Sequence, residues 1–442
     1  MGIAATNRLC RLAGLVILLA ATVVFHVRSP IFGDFVQFEM AGLVDRAGAW
    51  DALYPVPIDG SVHNAGSSED SLNKPAADKI AIAHGIDCVP YHFILPPPAA
   101  LLFWPLGLLD GVTAHQLWLL VSVFLGWITA VQAAMVLTKC AGRETKWAGF
   151  ITLVIAAMPA MRRMVLVANL TPLMSATIGW AVLCLMNEDH DLETAAAIVL
   201  GTVMKYAAAV LAPIALVQRR WRTVGWGMAI SIGWCGITLA VMGRGPFIEF
   251  ATSIAPTLAR SHEMADNISL MGVLLHARHQ LPPLPGNITG PLSLARLLVL
   301  GLILLPMIRL GRDRMREPAA VCASATALLG WLFFFSPVAW SHYLICLCPL
   351  WGWLACSTER NPWQRAVAWI AMALIVFSPD QMPAPAIDPW GVHLLMSLGL
   401  MLGVGISALY RMVPQRAVES ARTITPALKW TGCLSNQSAL GR

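Results

Sequence analysis

Long apolar runs separated by short polar segments dominate the chain. Each run is near the ~20 residues with which a helix crosses about 30 Å of hydrocarbon. The short alternating segments of a membrane β-barrel are not seen. We therefore predict an all-α, polytopic membrane protein with about 12 membrane helices. The predicted helical runs are 12–28, 93–109, 112–138, 147–161, 170–187, 193–217, 223–242, 292–310, 319–337, 341–357, 363–379 and 391–411.

Basic residues gather in some of the polar segments, and they predict orientation because cytoplasmic loops are enriched in Lys and Arg. With these clusters inside, both termini are cytoplasmic. Segments 28–92 and 243–291 then form two large outer loops on the non-cytoplasmic side. The basic clusters lie within 219–222, 309–316, 360–365 and 411–416.

Two runs in the first half allow two interpretations. Run 93–109 is short and begins with three prolines, and run 193–217 is long with Lys205 in its middle. As single spans, they would leave the basic stretch 139–146 outside. If 93–109 follows the outer interface and 193–217 is a hairpin broken near Lys205, that stretch lies inside, which the positive-inside rule favours. The hairpin places Arg162 and Arg163 outside, and it avoids the ~2.5–3.5 kcal/mol of an unpaired lysine in a simple span.

The pattern predicts one transmembrane domain, residues 1–412, followed by a flexible cytoplasmic tail, 413–442. The first run follows Arg8 and Arg11, as the apolar part of a signal peptide would. The residues after it, however, form a poor small-residue cleavage site. We therefore expect an uncleaved anchor.

Composition strengthens the membrane assignment. The 442 residues are 57% hydrophobic and 12% charged, with a mean hydropathy of +0.67, whereas soluble domains carry about 25% charged residues. The net charge of +6 is modest and has no basic cluster with interleaved aromatics, so we expect no nucleic-acid partner. Most of the ten cysteines lie in apolar runs, which predicts small core residues and no disulfide framework.

Asp34 is the strongest candidate for chemistry. It directly follows the first run, and Phe32 and Phe35 flank it. A carboxylate in that position is partly desolvated, and it suits a base that meets a substrate arriving from the lipid. A helix cap or an exposed interfacial charge is the structural alternative. The next residues, 35–50, have apolar positions near helical spacing and predict a short amphipathic helix lying on the bilayer.

Two further polar residues stand within or beside apolar runs. Asn169, at the outer start of a span, suits either a bond to a substrate hydroxyl or a helix cap. Lys205 is an ionisable residue at membrane depth, which is a functional hypothesis by default. A lysine that extends to the inner interface is its structural alternative.

His342 lies at the outer mouth between runs 319–337 and 341–357, with Trp340 and Tyr343 beside it. The aromatic pair is typical of an interfacial belt, while the histidine can bond a phosphate. Arg260, in the second outer loop, could do the same. We find no metal-ligand motif, phosphate loop or nucleotide fingerprint, so the sequence predicts no metal and no cofactor.

Short motifs recur in a definite order over roughly residues 10–410. They are Gly33-Asp34-Phe35, Gly48 with Leu53-Tyr54-Pro55, Phe93 to Pro98 with Pro105-Leu106, Asn169-Leu170-Thr171, Gly201 to Lys205, Arg219 to Arg222, Asn267 to Leu270, and Ser336-Pro337 with Trp340 to Tyr343. This order resembles the family 87 glycosyltransferases of the GT-C superfamily, which includes polyprenyl-phosphate-mannose-dependent α-mannosyltransferases.

The resemblance implies a GT-C-type bundle in the cell membrane. It implies transfer of a hexose, mannose in the first place, from a polyprenyl-phosphate donor to a lipid or glycan acceptor, with inversion, on the outer side. Asp34 would be the general base. His342, with Lys205 or Arg260, would neutralise the departing phosphate. The residues implied in substrate binding are His342, Asn169, Tyr54, Lys205, Arg260 and Trp340.

Two alternatives come from other classes. One is a secondary transporter of a small solute with Lys205 in its path, and the other is a non-catalytic membrane scaffold. Transporters often contain internal repeats around a midplane site. No repeat is apparent here, and the polar residues cluster outside, so the transferase is favoured.

Overall fold

A computed structural model describes residues 2–28, 34–57, 71–72, 74–86, 93–166, 168–258, 267–278, 289–337, 339–356, 362–376 and 389–414. Within these ranges the fold is helical, as predicted. The exception is an antiparallel pair of two-residue strands, β1 (Val56–Pro57) and β2 (Ser71–Leu72). Arg260 and nearly all of the predicted tail, 413–442, lie outside the described residues.

Most helices follow the predicted apolar runs, while α3 and α12 to α14 lie in the two predicted outer loops. The first half contains α1 (Ile3–Arg28), α2 (Phe35–Ala47), α3 (Pro75–Ala83), α4 (Pro97–Ala100), α5 (Gly111–Ala141), α6 (Lys146–Ala157), α7 (Pro159–Leu166), α8 (Thr171–Leu185), α9 (Asp191–Lys205) and α10 (Ala212–Val217). The second half contains α11 (Trp221–Met242), α12 (Gly245–Glu249), α13 (Ala255–Leu258), α14 (Leu270–Arg278), α15 (Thr289–Arg314), α16 (Pro318–Phe335), α17 (Cys348–Cys356), α18 (Pro362–Val376) and α19 (Pro389–Met412). Tighter 3₁₀ segments are Trp50–Ala52, Leu101–Leu108, Ala207–Leu211 and Ser341–Leu347, and Phe250–Ile254 is a π-helix.

Six helices of the described chain are long and apolar enough to cross a membrane, and the number is seven if α6 and α7, bent by 52°, form one span. Shorter apolar helices complete the bundle. These are the features of a multi-pass membrane protein, but the predicted number of about 12 membrane helices is not confirmed. The long candidates are Ile3–Val24, Gly111–Ala141, Trp221–Met242, Gly290–Arg314, Pro318–Phe335 and His393–Met412.

Run 193–217 is a broken hairpin. α9 ends at Lys205, and Tyr206 follows with φ of 48°, a left-handed conformation that non-glycine residues rarely adopt. The chain then returns through α10. Arg220 places its Nε 2.8 Å from Oδ1 of Asp191, at the start of α9. Both ends of the hairpin therefore lie at one end of the bundle, in agreement with the second sequence interpretation.

Several loops meet at that same end. Lys139 donates to Asn187 at 2.6 Å, and the Gln218 amide donates to the carbonyls of Leu185 at 3.0 Å and Met315 at 2.7 Å. We call this the basic end, made of 139–146, 186–191, 218–222 and 312–317. Because three basic segments share it, the grouping follows the positive-inside pattern that favoured the hairpin.

α2 forms as predicted, but ten of its 13 residues are buried, so its apolar face packs on the protein itself. Gly42 and Gly107 meet backbone to backbone, so α2 packs directly on the 3₁₀ segment Leu101–Leu108, and a Cβ at either glycine would clash with the other's backbone. Arg46 adds a bond to the Gly107 carbonyl at 2.8 Å. This close approach draws the polar side chains of Glu39 and Asp45 into the protein together with the apolar face.

The cysteines whose side chains are described form no disulfide bonds with one another. Cys184, Cys322 and Cys348 are buried, and the sulfur atoms of Cys140 and Cys322 are 3.8 Å apart, a non-bonded contact. They occupy the core as small apolar residues, which the sequence predicted.

Candidate active site

Asp34 precedes the first turn of α2 and remains partly exposed, while Phe35 after it is fully buried. Its carboxylate makes no capping bond to the helix. Instead, Oδ2 accepts a hydrogen bond from the side-chain amide of Asn169, which lies 135 residues further along the chain. The helix-cap alternative therefore does not apply, and the fold brings together two residues that the sequence had selected separately.

Asn169 is held rigidly for this contact. Its Oδ1 accepts from the Thr171 amide at 2.8 Å and from the Thr171 hydroxyl at 2.6 Å. The preceding Ala168 has φ of 52°, and the Trp118 indole donates to its carbonyl at 2.8 Å. Because the amide oxygen is occupied locally, the amide nitrogen must face away from the start of α8, and it faces Asp34.

Lys205 reaches the same region from the last turn of α9. Its Nζ lies 4.5 Å from the centroid of the Tyr343 ring, a cation–π contact. Its charge also acts on Asp34. The left-handed turn at Tyr206 stops the helix at this depth, so the hairpin is what delivers a cation to the end of the bundle opposite the basic end.

His342 and its aromatic neighbours lie beside Lys205 in the same region. The His342 ring stacks on Trp340 with centroids 6.4 Å apart and meets Tyr343 edge-on at 4.9 Å. Its Nε2 is buried without a hydrogen-bond partner among the described residues. A free ring nitrogen beside Lys205 is available for a ligand oxygen.

The loop that carries Trp340 is fastened by Asn267. The Asn267 side chain accepts from the Ala339 amide at 3.0 Å and donates to the Pro337 carbonyl at 3.1 Å. The backbone adds a bond from Ile268 to Ala339 at 2.7 Å. The described parts of the motif segments 267–270 and 336–343 are therefore held together, and His342 stacks on Trp340 within this unit.

Burial raises the pKa of the Asp34 carboxyl above its usual value. The hydrogen bond from Asn169 and the positive charges of Lys205 and Arg163 oppose that rise, because they stabilise the ionised form. The carboxylate is thus more basic than one in water and still has groups that support its charge, the combination that general-base catalysis needs. We call Asp34, Arg163, Asn169, Lys205, His342 and Tyr343 the Asp34 cluster.

Tyr54 has a different position. It is 1% exposed, and its hydroxyl donates to the Leu95 carbonyl at 2.8 Å. Its ring packs against Phe93 and Phe250, each with centroids 6.0 Å away. These contacts anchor the segment before α4, so they give Tyr54 a structural task. Its role in substrate binding stays a prediction.

Arg163 is a member of the Asp34 cluster that the sequence analysis did not select. It lies in the last turn of α7, and its charge acts on both Asp34 and His342. The available signal was its side of the membrane, because the hairpin interpretation left Arg162 and Arg163 outside, away from the basic clusters. A cation retained on that side against the general rule is a candidate for binding an anion.

No group of three or more His, Cys, Asp or Glu side chains is placed to hold a metal ion within the described ranges. The cationic groups of the Asp34 cluster are protein side chains. They suit contacts to an anionic oxygen while Asp34 accepts a proton.

A family model, "Glycosyltransferase family 87", matches residues 93–337, more than half of the chain. The resemblance to that family is thereby confirmed. The matched region includes Arg163, Asn169 and Lys205, whereas Asp34 and His342 lie beyond its two ends. No curated protein and no solved structure matches the chain. Neither the family nor the described geometry supports the transport alternative for Lys205.

Proposed function

We propose that this chain, which belongs to glycosyltransferase family 87, transfers a hexose, mannose in the first place, from a polyprenyl-phosphate sugar to a lipid or glycan acceptor. The reaction takes place at the non-cytoplasmic face of the cell membrane and inverts the anomeric carbon. Asp34 is the general base, and the cations of the Asp34 cluster accept the charge of the departing phosphate.

The observation that carries this proposal is the pairing of one carboxylate with two cations and an amide at a single end of the bundle. Asp34 bonds to Asn169 and lies in the field of Lys205 and Arg163. A base and an anion site side by side are what a single displacement from a phosphate-linked sugar requires. A soluble nucleotide-sugar enzyme would need no such arrangement among membrane helices.

Sidedness is supported by the charge distribution. The basic end gathers Lys139, Arg220 and Arg316 through contacts between its loops, and such segments face the cytoplasm. Lys205, at the far end of α9, belongs to the opposite end with Asp34. The active site therefore faces outward in this proposal, with the described start of α1 inside.

The chemical step follows from these positions. The Asp34 carboxylate takes the proton of the acceptor hydroxyl as its oxygen forms a bond to the anomeric carbon. The bond between that carbon and the phosphate oxygen breaks, and its electron pair leaves with the polyprenyl phosphate. Lys205 and Arg163 stabilise the developing negative charge, and the free Nε2 of His342 is available to the same oxygen atoms.

The test uses the full-length protein reconstituted in lipid with a membrane-extracted acceptor fraction. Labelled sugar should pass from polyprenyl-phosphate mannose to the acceptor and should not pass from a nucleotide sugar. Analysis of the product linkage by nuclear magnetic resonance should show an α-glycoside made from a β-linked donor. Transfer from the nucleotide sugar alone, or retention of configuration, would overturn the proposal.

A further inference from the structure

A polar cavity lies at the basic end, about 420 Å³ in volume. Its wall is formed by the turn between α10 and α11, the connection between α8 and α9, and the end of α15 with the residues that follow it. We call it the arginine cavity, because five arginines line it: Arg219, Arg220, Arg222, Arg312 and Arg316. None of these residues belongs to the Asp34 cluster.

The arginine cavity has a fixed base. Gln218 is fully buried there and ties the Leu185 and Met315 carbonyls together. Arg220 is 8% exposed, and it bonds to Asp191 through Nε at 2.8 Å and to the Cys184 carbonyl through Nη1 at 3.0 Å. These contacts hold the three connections that form the wall, so the cavity is preformed.

The arginine cavity has more cationic groups than its carboxylates neutralise. Within the described structure, Asp191 is engaged by Arg220, and Glu188 contacts Arg316 at 2.5 Å. Two buried nitrogen atoms, Nη2 of Arg220 and Nε of Arg316, have no hydrogen-bond partner there. Five arginines against Glu188, Asp189 and Asp191 leave a formal charge of +2 in the lining. Desolvated donors without an acceptor favour an anion that brings several oxygen atoms.

An apolar groove adjoins the arginine cavity. It encloses about 430 Å³ between the α9–α10 hairpin and α11, with Ile198, Thr202, Leu216, Val224 and Gly227 in its lining. Trp221 and Arg222 line the cavity, and Thr223 and Val224 line the groove, so the first turn of α11 belongs to both. The side of α11 that faces away from the groove is exposed, with Trp226 and Ile237 49% and 62% accessible. A helix of that kind borders lipid.

The arginine cavity is remote from the Asp34 cluster. Asp191 lines the cavity at the start of α9, and Lys205 ends the same helix. At about 1.5 Å per residue, α9 separates them by about 21 Å. The donor phosphate handled at Lys205 cannot reach the arginine cavity at the same time.

We propose that the arginine cavity and the apolar groove together bind one anionic phospholipid, with its phosphate among the arginines and an acyl chain along α11. A soluble anion would use the cavity alone and leave the groove unexplained. A zwitterionic lipid would bring a compensating positive headgroup into a cavity that already has excess positive charge. This lipid site takes no part in the proposed sugar transfer and is separate from the Asp34 cluster.

The headgroup half is tested with purified full-length protein and native mass spectrometry. Phosphatidylglycerol should bind in a 1:1 complex, and phosphatidylcholine should bind at least about tenfold more weakly. The double variant Arg222→Ala/Arg312→Ala should weaken phosphatidylglycerol binding about 30-fold, on the basis of about fivefold for each cation near a lipid surface. Arg309→Ala, an exposed arginine one turn away on α15 that does not line the cavity, is the matched control and should bind normally.

The binding of the acyl chain in the apolar groove is tested by replacing glycines on α11. A Cβ at Gly227 would lie 4.0 Å from Val199 Cγ2, so Gly227→Phe is tolerated at Cβ and fills the groove. Gly225→Phe puts the same ring on the same helix at an open position outside the groove lining. Only Gly227→Phe should weaken phosphatidylglycerol binding, and by several-fold, because packing rather than water exclusion drives chain binding in an apolar medium.

Inorganic phosphate tests whether the arginine cavity binds a soluble anion instead of the phosphate of a lipid. At millimolar concentration it should not displace bound phosphatidylglycerol. Full displacement together with no effect of Gly227→Phe would identify a soluble-anion site and overturn the proposal. Equal binding of phosphatidylcholine, or normal binding by Arg222→Ala/Arg312→Ala, would overturn it as well. Because these measurements follow binding and not sugar transfer, their outcome is independent of the proposed transferase activity.

Discussion

Two carboxylates border helix α2, and their surroundings differ. Asp34, before the first turn, bonds to Asn169 and lies in the field of Lys205 and Arg163. Asp45, in the last turn, is 4% exposed, and neither of its oxygen atoms has a hydrogen-bond partner among the described residues. Burial raises the pKa of both groups, and for Asp45 it reaches about 8.

The comparison separates burial from function. Burial alone favours the neutral acid, as at Asp45, whereas burial with an amide and two cations keeps a negative charge available, as at Asp34. A raised pKa is therefore insufficient to identify a general base. Partners that stabilise the charge, and that could also bind an anionic substrate, distinguish the two carboxylates.

The largest expected effect comes from neutralising each carboxylate in turn. Asp34→Asn should lower sugar transfer from the polyprenyl-phosphate donor by at least about 10³-fold, because it removes the proton acceptor while preserving shape. Asp45→Asn, the matched change at the other end of α2, should leave transfer within about twofold of wild type. The rates are measured on equal amounts of inserted, purified protein. Substantial transfer by Asp34→Asn would remove this residue from the mechanism.

The next effect concerns the cation beside Asp34. Lys205→Met should lower kcat about 10²-fold, since one fixed donor to developing charge is lost. It should also raise the pKa of Asp34 further, because the charge of Lys205 lowers that pKa in the wild-type protein. The base must be ionised, so the acidic limb of the pH–rate profile is expected to move to higher pH.

Lys139→Met, at the basic end, is the matched control for Lys205→Met and should change neither rate nor profile. An unshifted acidic limb in Lys205→Met, with folding intact, would show that Lys205 does not act on the base.

A smaller effect is expected for Asn169→Ala. A hydrogen bond to a charged group contributes about 1.5–3 kcal/mol, so a loss of about tenfold or more is expected. The acidic limb should again move upward, because Asn169 lowers the pKa of Asp34. Thr171→Val, which removes one of the bonds that orient Asn169, should give a milder version of both changes. A lower rate with an unchanged pH profile would mean that Asn169 only supports the fold.

The smallest effect on activity, and a clear one on stability, belongs to Asp45. Its folded pKa lies far above the ordinary 3.8, so its favourable contribution is complete below about pH 4 and is lost as pH rises to about 8. Asp45→Asn should match wild type at about pH 4 and raise Tm by at least about 2 °C at pH 8. The exposed Asp51 offers a control, since Asp51→Asn alters no buried group and should leave Tm close to that of wild type. A Tm difference equal at both pH values would contradict this account.

Much of the fold could be predicted from hydrophobic spacing. The apolar runs predicted the long helices, although α1 begins nine residues before run 12–28, and the charge rule favoured the hairpin around Lys205. The surroundings of α2 could not be predicted, because they depend on one backbone contact between Gly42 and Gly107. Two glycines 65 residues apart in the sequence carry no periodic signal of their meeting.

The candidate site was predictable only in part. Asp34, Asn169, Lys205 and His342 were selected singly, as polar residues beside apolar runs, and their convergence needed the fold. Tyr54 was selected through a motif, yet its hydroxyl is engaged by Leu95. Arg163 was passed over because a basic residue at the end of a short helix is ordinary until its distance from the other basic segments is known.

The α9–α10 hairpin has a consequence for membrane insertion. A segment that enters and leaves at one face adds no crossing, so it leaves the orientation of every later helix unchanged. Reporter fusions at Glu188 and Arg219 should therefore report the same compartment, and excising the hairpin should leave α11 and the helices after it in their original direction. Changes in the hairpin can therefore alter the depth of Lys205 in the membrane without inverting the helices that follow.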